Sequence, residues 1–566
     1  MAVPPSTYPR RLLPLFLGLF QTALLLFFAL FVTYDEPSAQ VEDTGLVVYS
    51  IFPFFQDIQV MLVVGLGLLL TFLPRYGFSS LTHNFLLLNF SMQWALVLQG
   101  LLHHLHQGQI HLDLHKLLVS EFAAVTVLIS VGAVLGRASP CQLLVMAACE
   151  IPVYLASEWV IVTYLGVLDV GGTITIHIFS CYFGLGVSKA LFRATQQPLH
   201  PKETPTPGSD LMALVGTLIL WVFWPSFVAV LCQPGDAQHR AILNTLLAMS
   251  ASAITTVVAS SLLHRDGKLS PGHLQNGSLA GGVAIGVVAD MAVPPAAALA
   301  LGSLSAAVCV LGFRFLTPLL GRKLTLHDQC GIHNLHGLPG ILGAAASVVA
   351  VLLASKDISG SQPSQLSPAL CQAAGLAVAL GASLLAGLLT GAVLRLPCLA
   401  RPPQRLCFDD SLYFKIQEQA ESPGPDSSAE EGALALKEQT PQKPPIFLAA
   451  RCGCAHESAE PSERGPARPL RIALFPLGAE SRRHRDQHRH RHRPGSSDTI
   501  GAGSAAPRIR ESSRSAGIPA PVAVPASRPA GSDGSSGTGA AAPGAAGCRS
   551  GRGRGEEPHT QACAHL

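Results

Sequence analysis

The chain has 566 residues, of which 49% are hydrophobic and only 13% are charged, whereas about a quarter of the residues in ordinary soluble domains are charged. This composition indicates a membrane protein and argues against an ordinary soluble domain. The formal net charge is only +3, so charge does not indicate binding to nucleic acid. The 13 cysteines are scattered, several of them in apolar segments, unlike a secreted disulfide framework.

Apolar segments of about 20 residues, long enough to cross a bilayer, recur from Leu12 to about Leu396. The first follows Arg10 and Arg11, but it is too long for a signal peptide and lacks a clear cleavage site, so we interpret it as a membrane helix. We predict about twelve spans and an all-α polytopic membrane fold. The spans are centred near Leu24, Gly65, Ser91, Leu128, Tyr154, Cys181, Leu220, Ser250, Gly282, Gly302, Gly343 and Leu384.

Lysine and arginine alternate between the two sides of the predicted membrane, and basic loops generally face the cytoplasm. With a cytoplasmic amino terminus, the outer side holds essentially Lys116, Arg240 and Lys356. An error of one span would disturb the alternation, so it supports an even number of spans and cytoplasmic termini. The basic side holds Arg10 with Arg11, Arg75, Arg137, Arg193 with Lys202, Arg265 with Lys268, Arg314 with Arg322 and Lys323, and Arg395 with Arg401 and Arg405.

The composition changes after the last span. We predict a transmembrane domain over residues 1–400, a juxtamembrane cytoplasmic segment over 401–419 and a cytoplasmic tail over 420–566. The tail is rich in Pro, Ser, Ala, Gly and Arg and has too little apolar surface to fold alone, so we expect it to be disordered. Its basic run from Arg482 to Arg493 is typical of a solvated segment, and binding to anionic lipid, RNA or metal is the alternative.

Two histidines lie in otherwise apolar spans, His177 in the sixth and His336 in the eleventh. Such residues persist in a membrane only if they have partners or line a cavity. Each is followed seven positions later by a glycine, Gly184 or Gly343, about two helical turns away, where another backbone can approach closely.

If the first and last spans are set aside, each histidine lies on the last helix of a group of five, helices 2–6 and 7–11. An odd number of helices per group forces the two groups into opposite orientations, the inverted repeat of many transporters, whose site lies between the repeats. We therefore predict that His177 and His336 face each other, with about 3 Å between nitrogens.

Two facing imidazoles can share one proton and offer one donor and one acceptor to a small polar solute. The alternative is a pair of unrelated contacts between helices. A zinc site is a second alternative, because Cys330, His333 and His336 follow one another at intervals of three, although a fourth ligand would be needed. A further histidine cluster is predicted in an outward loop and is interpreted as solvated, with pH or metal sensing as the alternative. It comprises His103, His104, His106, His111 and His115.

Several long motifs follow one another in order along the chain. They are Asp169-Val-Gly-Gly-Thr-Ile-Thr-Ile-His177 with Tyr182-Phe-Gly184, Trp224-Pro-Ser-Phe227, Gln275-Asn-Gly-Ser-Leu-Ala-Gly-Gly-Val283, Gly331-Ile-His-Asn-Leu-His-Gly-Leu-Pro-Gly340 and Phe408-Asp-Asp-Ser-Leu-Tyr-Phe414. Together they resemble the Rh glycoprotein branch of the ammonium transporter (Amt/Mep/Rh) family. The resemblance spans roughly Arg10 to Lys415.

The resemblance implies a homotrimer in which each subunit has its own narrow pore. Carried over by motif, His177 and His336 are the twin histidines of the pore, and Phe122 and Phe227 form its outer gate. Beside the gate the sequence departs from the family pattern, because Glu121 stands where relatives often have Asp.

Two acidic residues are also carried over by motif. Asp169 matches an acid that supports the pore helix or assists deprotonation, and Glu158 matches a vestibule acid that attracts a cation. The vestibule would collect ammonium. An apolar constriction would reject the ion, because removing its hydration water is costly, so that neutral ammonia crosses.

The predicted activity needs neither ATP nor a bound cofactor or metal. A carbon dioxide channel and a non-conducting scaffold that binds cytoskeletal partners through the tail are the alternatives. The sequence contains no nucleophile with a base, phosphate-binding glycine loop or catalytic carboxylate pair in a plausible context, so we do not expect an enzyme. We expect a multi-pass protein of the plasma membrane.

Overall fold

The computed structural model describes residues 8–34, 51–103, 105–106, 108–192, 200–355, 367–399 and 401–415. In this part of the chain, eleven helices are long and apolar enough to cross a membrane. A twelfth, Pro271–Ile285, is extended by a 3₁₀ turn over Gly286–Val288. The prediction of about twelve spans is therefore confirmed, and each predicted centre lies within one of these helices. The tail predicted over residues 420–566 lies outside the described residues.

The helices are numbered α1 to α12 along the chain. They are α1 Arg10–Phe31, α2 Ile51–Phe72, α3 Gly77–Leu102, α4 Leu114–Ala133, α5 Pro140–Tyr164, α6 Thr173–Leu191, α7 Pro207–Ala229, α8 Asp236–Leu263, α9 Pro271–Ile285, α10 Pro295–Leu324, α11 His333–Ala354 and α12 Pro368–Val393.

Helices α4 and α6 form the centre of the molecule, since 83% of the most apolar part of each is buried. Helix α1 lies at the periphery, because several of its leucines, including Leu19 and Leu30, remain exposed. Large exposed apolar residues on α1 suit contact with lipid hydrocarbon, which solvates them at no cost.

A small sheet on the non-basic side was not predicted. Strand β1 covers Val32–Tyr34, β2 covers Leu105–His106 and β3 covers Gln109–Leu112. The order is β1-β3-β2, with β1 parallel and β2 antiparallel to β3. The histidine-rich stretch between α3 and α4 is thus partly a hairpin rather than a plain loop. Little in the sequence indicates this sheet, because the strands are only two to four residues long and the parallel partner is distant in the chain.

The segment after α12 packs against three loops on the basic side. Phe408 is buried, and its backbone N–H donates to the Gly136 carbonyl at 2.9 Å. The Asp410 carboxylate accepts hydrogen bonds from the Phe78 and Ser79 backbone N–H groups at 3.0 and 2.7 Å, at the start of α3. Lys202, in the third loop, forms an ion pair with Asp409. The segment therefore ties together loops that are far apart in the sequence.

Candidate functional site

The two histidine helices begin in the same unusual way. Helix α6 starts with a π-helical turn over Thr173–Ile178, which contains His177, and α11 starts with one over His333–Gly337, which contains His336. These wide turns are rare and occur mostly at functional sites. The two helices enter the membrane from opposite sides, as the inverted repeat requires, because α11 follows the basic loop with Arg322 and α6 follows the non-basic one.

An aspartate eight residues before each histidine caps each turn. Asp169 accepts hydrogen bonds from the Ile174 N–H at 2.9 Å, the Thr175 N–H at 2.7 Å and the Thr175 hydroxyl at 2.9 Å. Asp328 accepts from the Gly331, Ile332 and His333 N–H groups at 3.0, 2.9 and 2.9 Å. A carboxylate stabilises the exposed N–H groups and positive dipole of a helix start.

Burial has the largest effect on both aspartates. It raises the pKa of Asp169 to about 7 and that of Asp328 to about 6, although the accepted hydrogen bonds oppose it. Asp328 was missed at the sequence level. The signal that could have found it is the equal spacing of eight residues from Asp169 to His177 and from Asp328 to His336.

The glycine seven residues after each histidine packs on the backbone of an equivalent helix. A Cβ atom on Gly184 would lie 2.4 Å from the Ser130 carbonyl oxygen of α4, and one on Gly343 would lie 2.3 Å from the Ala284 carbonyl oxygen of α9. The fourth span thus contacts the sixth as the ninth contacts the eleventh, which agrees with the predicted inverted repeats.

The structure brings the two histidines together. The His177 and His336 Nδ1 atoms are 3.1 Å apart, with ring centroids 5.1 Å apart and planes inclined by 15°. Both residues are buried, 2% and 6% exposed. The predicted contact is therefore confirmed. Because a hydrogen bond needs a proton on one nitrogen only, the pair can share a proton and stay neutral.

One nitrogen of the pair remains open. The His177 Nε2 atom is buried and has no hydrogen-bond partner among the described residues. Burying a polar atom without a partner is costly. A small solute that donates or accepts a hydrogen bond would satisfy it.

Two phenylalanines lie beside His177. The Phe122 and Phe227 rings have centroids 4.7 Å apart, inclined by 37°, and Phe227 is 6.2 Å from the His177 ring. Trp224 stacks on His177, with ring centroids 5.7 Å apart and planes inclined by 15°. Of the two predicted gate residues, Phe227 thus lies next to the predicted pore histidine, and Phe122 packs against Phe227.

Two polar side chains of α2 form hydrogen bonds with the residues that directly precede these phenylalanines in the chain. The Ser226 hydroxyl donates to the Asp57 carboxylate at 2.6 Å, and the Gln59 amide donates to the Glu121 carboxylate. Glu121 is fully buried. One turn of α2 therefore holds the residue next to each phenylalanine. Sequence reasoning missed Asp57 and Gln59, because nothing local to them indicates this contact.

A cavity of about 320 Å³ extends from His336 to the basic side of the molecule. Polar side chains line it towards the loops, including Asp210, Gln275 and Asp328. The Gln275 amide donates to the Asp210 carboxylate at 3.2 Å and to its carbonyl at 3.1 Å. The phenylalanine pair, the histidine pair and this cavity, whose polar residues lie towards the loops, are thus neighbours in that order.

The predicted outer acids lie on the non-basic side of the molecule. Glu158 is partly buried on α5, and Asp169 is partly buried in the linker to α6. One Asp169 oxygen, Oδ2, accepts all three hydrogen bonds described above, while Oδ1 is buried without a partner among the described residues. Asp169 is therefore built into the start of α6.

The three residues of the zinc alternative do not converge. Cys330 lies against Gly132, and the His333 Nε2 atom lies 3.4 Å from the Tyr182 hydroxyl, while His336 contacts His177. Among the described residues, no group of three or more His, Cys, Asp or Glu side chains could hold a metal ion.

Comparison with known proteins agrees with the resemblance that the sequence motifs indicate. The Ammonium Transporter Family matches residues 17–401. The chain is 41% identical over 462 residues to ammonium transporter Rh type B of Oryzias latipes, which covers 78% of this chain and 99% of that protein. It is 40% identical over 413 residues to ammonium transporter Rh type A of Mus musculus, covering 70% of this chain and 92% of the relative.

Solved structures show the same fold. The Rh50 channel of Nitrosomonas europaea is 34% identical, with a TM-score of 0.58 over 69% of this chain and 97% of that chain. Mep2 of Candida albicans is 20% identical, with a TM-score of 0.51 over 66% of this chain and 86% of that one, and is similar in fold alone.

Proposed function

Since the chain belongs to the Rh branch of the ammonium transporter family, we propose that it is a membrane channel through which ammonia crosses as the neutral molecule. The observation that carries this proposal is the buried His177–His336 pair, 3.1 Å between Nδ1 atoms, placed between the Phe122–Phe227 pair and a cavity with polar residues towards the loops. The proposed activity is permeation, without a bound cofactor or metal and without a catalysed reaction.

The physical reason is the cost of desolvating a cation. An isolated ammonium ion loses its hydration in a narrow apolar passage, which costs far more than the passage of a neutral molecule. We propose that ammonium gives up its proton to water on the outer side, before Phe122 and Phe227. Ammonia then passes, makes a transient hydrogen bond to the open Nε2 atom of His177, and takes up a proton from water in the cavity beyond.

The acidic residues have two proposed roles. Glu158 is partly buried on the outer side, where a carboxylate attracts cations. Asp169 holds the first turn of α6 and so positions His177. The pKa of Asp169, raised to about 7 by burial, also suits exchange of a proton near neutral pH.

We propose that the basic side faces the cytoplasm of the cell and that the protein lies in the plasma membrane as a homotrimer. The support is the alternation of basic loops along the spans, together with the family resemblance. The boundaries at residues 400 and 419 belong to the same proposal. The tail on which the scaffold alternative depends lies outside the described residues, and that alternative stays a prediction.

The test is stopped-flow uptake of ammonia by liposomes that contain the purified chain, followed by internal pH. We expect His177→Ala and His336→Ala to reduce the protein-dependent rate at least about tenfold, since each removes a buried hydrogen-bonding partner worth about 1.5 kcal/mol. His239→Ala is the matched control, because His239 is exposed at the start of α8. Undiminished uptake in both pore variants would remove the histidines from the mechanism.

The same liposomes separate the alternatives. A carbon dioxide channel predicts acceleration of carbon dioxide entry that survives both histidine changes, because a neutral apolar gas does not need a hydrogen bond. A non-conducting scaffold predicts that wild-type liposomes show no faster ammonia-driven pH change than empty liposomes.

A further inference from the structure

A short stretch of α2 contacts both helices that carry the gate phenylalanines, α4 in the first group of five helices and α7 in the second. The Asp57 carboxylate accepts a hydrogen bond from the Ser226 hydroxyl of α7 at 2.6 Å, and the Gln59 amide donates to the Glu121 carboxylate of α4. Ser226 and Glu121 each directly precede a gate phenylalanine in the chain. One turn of α2 therefore connects the two halves of the gate.

These contacts act on the helices, one residue away from the rings. Successive side chains on an α-helix point about 100° apart, so the residue before a phenylalanine faces away from the ring. A hydrogen bond at that residue fixes the rotation of the helix about its own axis. Because side chains occupy a few defined rotamers relative to the backbone, the rotation of the helix sets the direction in which the ring points.

Helix α2 is itself fixed against α7 by contact between the backbones. A Cβ atom on Gly216 of α7 would lie 2.3 Å from the Leu69 backbone nitrogen and 2.6 Å from the Gly65 carbonyl oxygen. Helices approach this closely only at small residues. The Asp57–Ser226 hydrogen bond lies nearer the start of α2 and the end of α7. The two contacts together fix both the height and the rotation of α7 relative to α2.

The Gln59 contact is made to a carboxyl group that is costly to bury. Glu121 is fully buried within α4, and its Oε2 atom has no hydrogen-bond partner among the described residues. Ionisable side chains within membrane helices are rare and by default indicate a functional role. Glu121 stands next to the contact between Phe122 and Phe227, whose ring centroids are 4.7 Å apart. Its bond to α2 gives this buried group a role as an anchor for α4.

We propose that Asp57 and Gln59 are positioning residues of the gate. Through the residues that precede the phenylalanines, they hold α7 and α4 so that the Phe122 and Phe227 rings stay in contact, and this contact favours ammonia over a larger amine such as methylamine. The selectivity rests on the proposed function, whereas the position of the rings does not. The experiment therefore has one readout that needs no transport.

The first readout is fluorine NMR of the purified full chain in detergent, with para-fluorophenylalanine in place of Phe122 or of Phe227. We expect Asp57→Ala to shift or split mainly the signal of the label at position 227, and Gln59→Ala mainly that of the label at position 122, because each variant loses the hydrogen bond beside its own ring. Gln56→Ala is the matched control, since Gln56 is exposed on the same turn of α2. It should leave both signals unchanged.

The second readout is the ratio of methylamine uptake to ammonia uptake by liposomes, followed by internal pH. We expect Asp57→Ala and Gln59→Ala each to raise this ratio about fivefold, the change in population that the loss of one hydrogen bond allows. Gln56→Ala should keep the wild-type ratio. If wild-type liposomes take up ammonia no faster than empty ones, the proposed function fails, and the NMR signals still decide whether α2 positions the rings.

Conservative variants separate positioning from a folding defect. Asp57→Asn keeps an acceptor oxygen for the Ser226 hydroxyl, and Glu121→Gln keeps one for the Gln59 amide, so both should show wild-type signals and ratios. The proposal is overturned if the two Ala variants change the signals no more than Gln56→Ala does, or if each changes both labels equally. It is also overturned if the conservative variants change the signals as much as the Ala variants do.

Discussion

Single residues decide how the two histidines of the candidate pore are positioned. His177 and His336 can contact each other because Asp169 and Asp328 fix the first turns of their helices from opposite sides of the membrane. Each aspartate satisfies backbone N–H groups that would otherwise be unpaired at a buried helix start. The two aspartates are therefore positioning residues for the histidines.

Substitutions of Asp169 separate its two proposed roles. Asp169→Ala removes three accepted hydrogen bonds and should lower the free energy of unfolding by about 1–2 kcal/mol, with loss of ammonia uptake. Asp169→Asn keeps an acceptor oxygen and should lose less than half of that stability. If Asp169 only positions His177, the Asn variant keeps most of the uptake. A stable Asn variant without uptake would instead assign the carboxyl group to proton transfer.

The pH dependence of the same variants follows from the raised pKa. Burial holds the pKa of folded Asp169 at about 7, above about 3.9 for an unfolded aspartate. The native state thus binds the proton more tightly, so this contribution to stability is complete below about pH 4, falls as pH rises to about 7 and is absent above it. Between about pH 4 and pH 7, the stability of Asp169→Asn against thermal unfolding should therefore fall less steeply with rising pH than that of the wild type. The same pH dependence in both proteins would contradict the prediction.

Pairs of helices meet through small residues, so the elements of the two repeats interlock backbone to backbone. Gly184 places α6 against α4, and Gly343 places α11 against α9. Close packing of this kind is how helices associate in lipid, where the hydrophobic effect between helices is absent. The histidines lie two turns from these crossings, so the crossings set the distance between the rings.

Adding one methyl group at either crossing should disturb the bundle. Gly184→Ala and Gly343→Ala would each bring a Cβ atom within 2.4 Å of a backbone oxygen, and we expect each to destabilise the protein by about 1–3 kcal/mol. Gly381→Ala on α12 is the control, because nothing lies within 4 Å of its Cβ position. It should be neutral or stabilising. The measurement is the midpoint of thermal unfolding in detergent, and equal midpoints for all three variants would refute the role of the crossings.

At the scale of the whole molecule, the segment over residues 401–415 holds the basic face together. Phe408 fills the space above Gly136, whose φ of +76° places it in the left-handed region that favours glycine. The Arg137 guanidinium lies 5.5 Å from the Phe408 ring centroid and forms an ion pair with Glu203. Loops from three different parts of the bundle therefore share one anchoring segment.

Removing the Phe408 ring should release this anchor. We expect Phe408→Ala to cost about 3 kcal/mol or more, as for other buried phenylalanines, and to expose the segment to protease at Arg405 while the bundle remains intact. Ser411→Ala is the control, because Ser411 is exposed. Equal rates of cleavage in the two variants, measured by limited proteolysis in detergent, would show that Phe408 does not anchor the segment.

The sequence by itself determined the number of spans, the basic side and the pairing of His177 with His336. These follow from local composition, from the length of hydrocarbon that a helix must cross and from an odd number of helices per repeat. Only the tertiary structure decided which groups support that pair. The Ser226–Asp57 and Gln59–Glu121 contacts join residues 169 and 62 positions apart, and the parallel strand β1 pairs with a distant β3. Contacts of this kind leave no periodic pattern, because they depend on how the helices pack and not on the composition of any one of them.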